Sequence, residues 1–167
     1  LVLKIIILRG QAQQPGKIQN MDLSHVYETF VRQDCKLARP IKVVIDAGNG
    51  PAGLVAAPVY RALGCEVVEL FCEPDGRFPN HHPDPTIAEN LQDIVQKVRE
   101  SKADIGIAFD GDGDRIGVVD EQGEIIWGDM LLLLLSRQLL LENPGATIIS
   151  EVKSSQVLYD DIAQHGG

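Results

Sequence analysis

Hydrophobic positions fall into two rhythms along the chain. Short runs rich in Val, Ile and Leu recur at Leu1–Leu8, Ile41–Ile45, Glu66–Phe71, Asp104–Phe109 and Ala146–Ser150, with the lengths of buried strands. Between and after them lie stretches with helical spacing. Asp22–Leu37 carries Leu23, Val26, Tyr27, Phe30 and Val31 as one apolar stripe, and Arg39–Pro40 ends it. Leu54–Leu63 reads as a helix that stops at Gly64. Thr86–Glu89 has capping-box spacing, which predicts a helix start with Ile87, Leu91, Ile94, Val95 and Val98 toward the core. Asp129 is a candidate cap for a helix over Met130–Glu142, closed by Pro144–Gly145, and Ser155–Gln164 predicts a last helix. Ile116–Val119 and Glu124–Trp127 flank the turn Glu121–Gly123 and predict a hairpin.

Strands alternating with helices predict an α/β fold, a mostly parallel mixed sheet with helices on both faces. The 167 residues suffice for one domain with a real core. A net charge of −9 argues against a nucleic-acid binder, which needs clustered Lys and Arg. It leaves phosphate ligands open, because a local cation can offset a global negative charge. Met130–Leu141, interrupted by Ser136, Arg137 and Gln138, is too short to span a bilayer, so no membrane is expected. Cys35, Cys65 and Cys72 are odd in number and form no Cys-x-x-Cys pair, which predicts reduced core thiols in a cytoplasmic protein. The chain starts without Met and ends at Gly166–Gly167 soon after a helix, the expectation for a piece of a longer protein.

The chemistry concentrates at one strand end. Asp110, Asp112 and Asp114 alternate with Gly111 and Gly113 directly after Asp104–Phe109, and Arg115 follows. In an extended strand alternate side chains stand ~6–7 Å apart on one face. The glycines let the backbone curl, so the three carboxylates can converge on one cation. Oxygen donors suit Mg²⁺ or Ca²⁺, and Mn²⁺ less selectively. Arg115 adds a fixed positive fork suited to phosphate. The bland alternative is a solvated acidic turn; the position at the C-terminal end of an apolar strand, where open α/β sheets place ligands, favours the metal. A calcium hand is a competitor, with Asp110, Asp112, Asp114 and Glu121 at its ligand positions. Its obligatory glycine is replaced by Arg115, however, and the flanks read as strands.

A second glycine run competes for the functional reading. Gly48-Asn49-Gly50-Pro51-Ala52-Gly53 fits G-x-G-x-x-G between a strand and a helix, with Glu69 near the distance expected of a ribose ligand. That is the case for a dinucleotide-binding domain of an oxidoreductase. The structural alternative is a tight turn with Asp46 or Asn49 capping the helix and Pro51 in its first turn. In Asn80-His81-His82-Pro83-Asp84-Pro85 the adjacent histidines point apart and do not easily make a metal pair; a rigid proline-bounded surface or interdomain loop is the reading favoured over direct substrate contact. Lys153 is an exposed lysine or a phosphate contact.

Taken in order, Asp46-Ala47-Gly48-Asn49-Gly50, Phe78-Pro79-Asn80-His81-His82-Pro83-Asp84-Pro85 and Ala108-Phe109-Asp110-Gly111-Asp112-Gly113-Asp114-Arg115 resemble the second domain of the α-D-phosphohexomutases, closest to the phosphomannomutase/phosphoglucomutase branch. The resemblance implies residues 1–20 as the end of a preceding domain and a connector, 21–150 as a metal-binding domain, and 151–167 as the start of a following one. It implies an isomerase that interconverts hexose 1- and 6-phosphates through a phosphoserine and a bisphosphorylated intermediate. Asp110, Asp112 and Asp114 would ligate Mg²⁺. Arg115 would stand near the phosphoserine and substrate, and Lys153 would approach the sugar phosphate. The family's Thr-Ala-Ser-His-Asn-Pro serine motif does not occur in the chain. The isolated chain is therefore expected to be inactive.

Overall fold

The structure, a computed structural model, describes residue 16 and residues 20–167. The strand expected at Leu1–Leu8 lies outside the described residues. Among these, five strands form one sheet in the order β2-β1-β3-β4-β5. They are β1 (Lys42–Asp46), β2 (Glu66–Leu70), β3 (Ile105–Phe109), β4 (Ile116–Asp120) and β5 (Ile125–Ile126). β1 pairs in parallel with both β2 and β3, while β3–β4 and β4–β5 are antiparallel. Four strands therefore point the same way and β4 alone opposes them, as the expected α/β class with a mixed, mostly parallel sheet requires.

The centre of the sheet is dry on both faces because the middle of β1, Val43–Ile45, is wholly β-branched and apolar. Val43, Val44 and Ile45 are fully buried. Val43 and Ile45 pack with Ile107, Cys65 and Ala56 of α2 (Gly53–Ala62). Val44 points the other way, toward Leu91, toward Ile94 and Val98 of α3 (Gln92–Ser101), and toward Ala108 and Val119. Period-2 alternation in one strand thus recruits one helix to each face. Each fully buried Ile or Leu contributes about 1.5–3 kcal/mol relative to exposure.

Several expected elements differ in detail. No capping box forms at Thr86, because its backbone N–H and hydroxyl both donate to Asp84 Oδ1, at 3.0 and 2.7 Å. A single 3₁₀ turn over Ala88–Leu91 intervenes, and α3 starts only at Gln92. Ile87 is left exposed. Ala146–Ser150 is not a strand: it has no neighbouring strand among the described residues, and Ile149 is 85% exposed. The helix expected at Asp22–Leu37 is α1 (Ser24–Asp34), and its stripe of Val26, Tyr27 and Phe30 is exposed.

Two further helices form a unit beside the sheet. α4 (Gly128–Glu142) and α5 (Gln156–Gln164) pack together over the buried Leu158, with Arg137 bidentate on Asp161. Trp127 is the N-terminal cap residue of α4. Asp129, the expected cap, sits two residues further on, in the first turn, and accepts from the Ser155 amide at 2.9 Å, tying the two helix starts together.

Candidate metal centre

The parallel strands β1, β2 and β3 all finish at one edge of the sheet, and the polar motifs follow directly. Beyond Phe109 the chain curls back on itself. The Asp110 amide donates to the Arg115 carbonyl at 3.1 Å, and the Gly113 amide donates to the Asp110 carbonyl at 3.2 Å. Gly113 makes the curl with φ +80°, a region that L side chains rarely enter. Asp110 is buried, whereas Asp112 and Asp114 are exposed. One carboxylate oxygen from each of Asp110, Asp112 and Asp114 lies within 4.8 Å of the other two. The convergence expected from the sequence is therefore present, with one buried anchor and two exposed arms.

Burial pushes the Asp110 carboxyl upward, but hydrogen bonds from the Arg115 amide and guanidinium, at 3.0 and 2.9 Å, outweigh it and hold the group below the usual carboxylate range. Asp114 moves the other way: the charges of Asp112 and Asp110 raise it. Arg115 lies 3.7 Å from Asp114 and only partly offsets that repulsion. Three carboxylates crowding one another with insufficient counter-charge make a site that favours a cation. Separations within 4.8 Å are compatible with three oxygens closing on one hard divalent cation such as Mg²⁺ or Ca²⁺.

Arg115 is the fourth member of the group. Its Nε holds Asp110, its Nη1 lies 3.6 Å from Asp84, and it remains half exposed. Lys153 is not brought to this cluster. It pairs with Glu151 at 3.4 Å and lines a ≈690 Å³ cleft with Ile116, Trp127 and Asp129.

The glycine turn and the proline-bounded loop contain the residues that sequence reasoning missed. Asp46 is completely buried; its Oδ1 accepts from the Gly48 amide at 2.8 Å, and its two oxygens lie 3.3 and 3.1 Å from His81 Nε2. That hydrogen bond raises His81 to about 9, so the imidazole is charged at neutral pH. Asn49 donates to the Glu73 carbonyl and accepts from Asn80. Neither Asp46 nor Asn49 caps α2, which has Ala52 at its cap position and no side-chain cap; both are engaged by the neighbouring loop instead. The one visible signal was an Asp ending an otherwise apolar strand.

Residues 23–123 match the family model described as phosphoglucomutase/phosphomannomutase, alpha/beta/alpha domain II. The chain belongs to that family. It is 53% identical to a phosphomannomutase/phosphoglucomutase of Pseudomonas putida, over 91% of this chain and 33% of the relative. It is 49% identical to a phosphoglucomutase of Neisseria gonorrhoeae, over 93% of this chain and 34% of the relative. The crystal structure of a phosphoglucomutase/phosphomannomutase family protein from Burkholderia thailandensis superposes with a TM-score of 0.84 at 51% identity, covering 87% of this chain and 32% of that one. The chain thus spans about a third of the length of the curated relatives it matches.

Membership of the phosphoglucomutase/phosphomannomutase family disposes of both competitors, and the geometry says why. In a dinucleotide site the backbone at Gly48 would be open to a pyrophosphate. Here a methyl placed on Gly48 would meet Pro83 Cβ at 2.9 Å and His81 Cε1 at 3.3 Å, so the loop fills that space. Glu69, the candidate ribose ligand, pairs with Arg61. The calcium-hand reading requires helices on either side of the acidic loop; β3 and β4 stand there instead, and Glu121 is not part of the carboxylate cluster among the described residues.

Proposed function

We propose that this chain is the metal-binding part of a phosphohexomutase that interconverts hexose 1-phosphate and hexose 6-phosphate, with mannose or glucose as the sugar. The observation that carries the reading is the convergence of Asp110, Asp112 and Asp114 beside Arg115, in a chain that matches domain II of the family. In this reading residues 21–150 form the domain, 1–20 end a preceding one and 151–167 begin a following one. The relatives' names divide between phosphomannomutase/phosphoglucomutase and phosphoglucomutase at similar identity, which supports placing the choice of sugar outside this domain.

Phosphoryl transfer requires neutralisation of charge and in-line placement more than covalent help. Mg²⁺ held by Asp110, Asp112 and Asp114 would supply a Lewis acid for the phosphoryl oxygens. The chain's own residues do the rest. Asp110, locked by Arg115, fixes one donor in advance, and Asp112 and Asp114 close from solvent. The half-exposed Arg115 keeps Nη2 donors free for a phosphate, because its Nε is the atom spent on Asp110. Lys153 approaches the sugar phosphate from the neighbouring cleft. The phosphoserine donor and the remaining sugar contacts belong to the rest of the full-length enzyme, so the isolated chain is inactive. The partner is a hexose phosphate, and neither nucleic acid nor membrane is involved. Among the described residues no helix is long and apolar enough to cross a membrane. We place the enzyme in the cytoplasm.

The test is a coupled assay converting mannose or glucose 1-phosphate to the 6-phosphate, with a trace of hexose bisphosphate. The full-length enzyme turns over and the 167-residue chain does not. Asp112→Ala in the full-length enzyme lowers the rate about a hundredfold or more, several kcal/mol of lost transition-state stabilisation. Undiminished turnover would remove the acidic loop from the mechanism.

A further inference from the structure

The loop Phe78–Pro85 lies between the glycine turn and the acidic loop and touches both. At its centre His81 is 12% exposed and paired with the fully buried Asp46, which ends the central strand β1. The imidazole meets the Phe71 ring edge-on, with centroids 5.5 Å apart, and its Nδ1 lies 3.0 Å from the His82 carbonyl. Both ring nitrogens are therefore engaged, and Phe71 packs against the ring. Two residues on, Pro83 packs on Gly48 on one side. On the other, its Cγ lies 3.3 Å from where a methyl on Gly111 would stand, and the Phe78 ring lies 3.9 Å away. Asp84 then faces Arg115 at 3.6 Å, and Arg115 holds Asp110.

Resting on the metal-site reading above, we propose that His81 is a positioning residue for the acidic loop: its ion pair with Asp46 pins Phe78–Pro85 so that Pro83 and Asp84 hold Gly111 and Arg115 in the cation-binding shape. The anchor is rigid because Asp46 belongs to the most deeply buried strand, and the charge on His81 at neutral pH strengthens the pin. A histidine that merely satisfied Asp46 would influence global stability alone. A positioning histidine influences the acidic loop in molecules that remain folded.

The experiment uses the 167-residue chain and the variant His81→Gln, which keeps a donor near Asp46 and lacks the charge. Hydrogen exchange at the Arg115 backbone amide, which donates to Asp110, reads the loop without any metal. Exchange at Val44 reads the global fold, and calorimetric titration with Mn²⁺ reads the site. In His81→Gln the Val44 amide loses only the protection that the fall in global stability accounts for, the Arg115 amide exchanges about tenfold or more faster through an opening that stays easier than global unfolding, and Mn²⁺ binds about tenfold or more weakly. Unchanged Arg115 exchange in folded His81→Gln overturns the proposal whatever the Mn²⁺ result. A wild-type chain that takes up no Mn²⁺ overturns the metal reading instead, and the Arg115 exchange then judges the pin by itself. Should His81→Gln fail to fold, Asp84→Asn cuts the same chain of contacts one step later. It gives the same rise in Arg115 exchange, and no rise there overturns the proposal.

Discussion

Arg115 holds the carboxylate of Asp110 twice, its backbone amide donating to Oδ1 at 3.0 Å and its Nε to Oδ2 at 2.9 Å. Each oxygen keeps a further lone pair, so Asp110 is aimed before any cation arrives. The three aspartates are chemically alike and physically unequal.

That inequality predicts opposite mutational behaviour without metal. Asp110→Asn loses a buried, charge-assisted pair and destabilises the chain by about 1–3 kcal/mol. Asp112→Asn removes a repelling charge from an exposed arm and leaves stability unchanged or slightly higher. Urea unfolding of both variants checks this; equal losses would contradict the buried-anchor description.

Acid should disarm the site through Asp114 first. The charges of Asp112 and Asp110 raise its pKa, so it takes up a proton earlier than an isolated Asp as pH falls. Mn²⁺ affinity therefore weakens on acidification, and ¹³C titration of the carboxyl groups shows Asp114 protonating before Asp110, which is held low. In Asp112→Asn the Asp114 midpoint moves down. An Asp114 midpoint indifferent to that substitution would contradict the electrostatic account.

Stability should carry the opposite signature at alkaline pH. The folded His81 pKa, about 9, lies above its ordinary 6.5 because of Asp46. A raised pKa stabilises fully below the unfolded value and is lost as pH climbs through the folded one. At about 1.4 kcal/mol per pH unit between the two values, the ceiling is about 3 kcal/mol. The stability gap between wild type and His81→Gln is thus widest below pH 6.5 and closes by about pH 9. Unfolding curves across that range measure it, and a gap independent of pH would show that His81 is not charged in the fold.

The glycine turn should bind no dinucleotide, because Pro83 and His81 occupy the space over Gly48. Fluorescence titration with NADH is expected to show no saturable binding at micromolar concentration.

The sheet, the two covering helices and the acidic loop were legible because each is a local pattern: alternation in Val43–Ile45, helical spacing in Ile94 and Val98, and carboxylates every second residue from Asp110. What was not legible depends on partners that a local pattern does not name. His81 and Asp46 are 35 residues apart, and the proline-bounded loop folding over the end of β1 brings them together. Thr86 has the spacing of a cap but lies two residues after a better acceptor for its own hydroxyl, Asp84. Ala146–Ser150 has the composition of a strand, yet a strand exists only in a ladder. The stripe on α1 was read correctly as a face; periodicity does not say what covers it.

Gly53 carries a consequence for anyone reading variant data on this family. A methyl there would lie 2.2 Å from the Cys72 carbonyl oxygen, a backbone atom that cannot turn aside. A saturation mutagenesis screen scored on growth would show Gly53 as intolerant as Asp110, although it touches no ligand. Scoring the same library for cellular abundance separates the two. Alleles at position 53 disappear from the soluble pool, whereas alleles at Asp112 persist as folded, inactive protein. A clinical or breeding panel that pooled these positions would confuse loss of a molecule with loss of its chemistry.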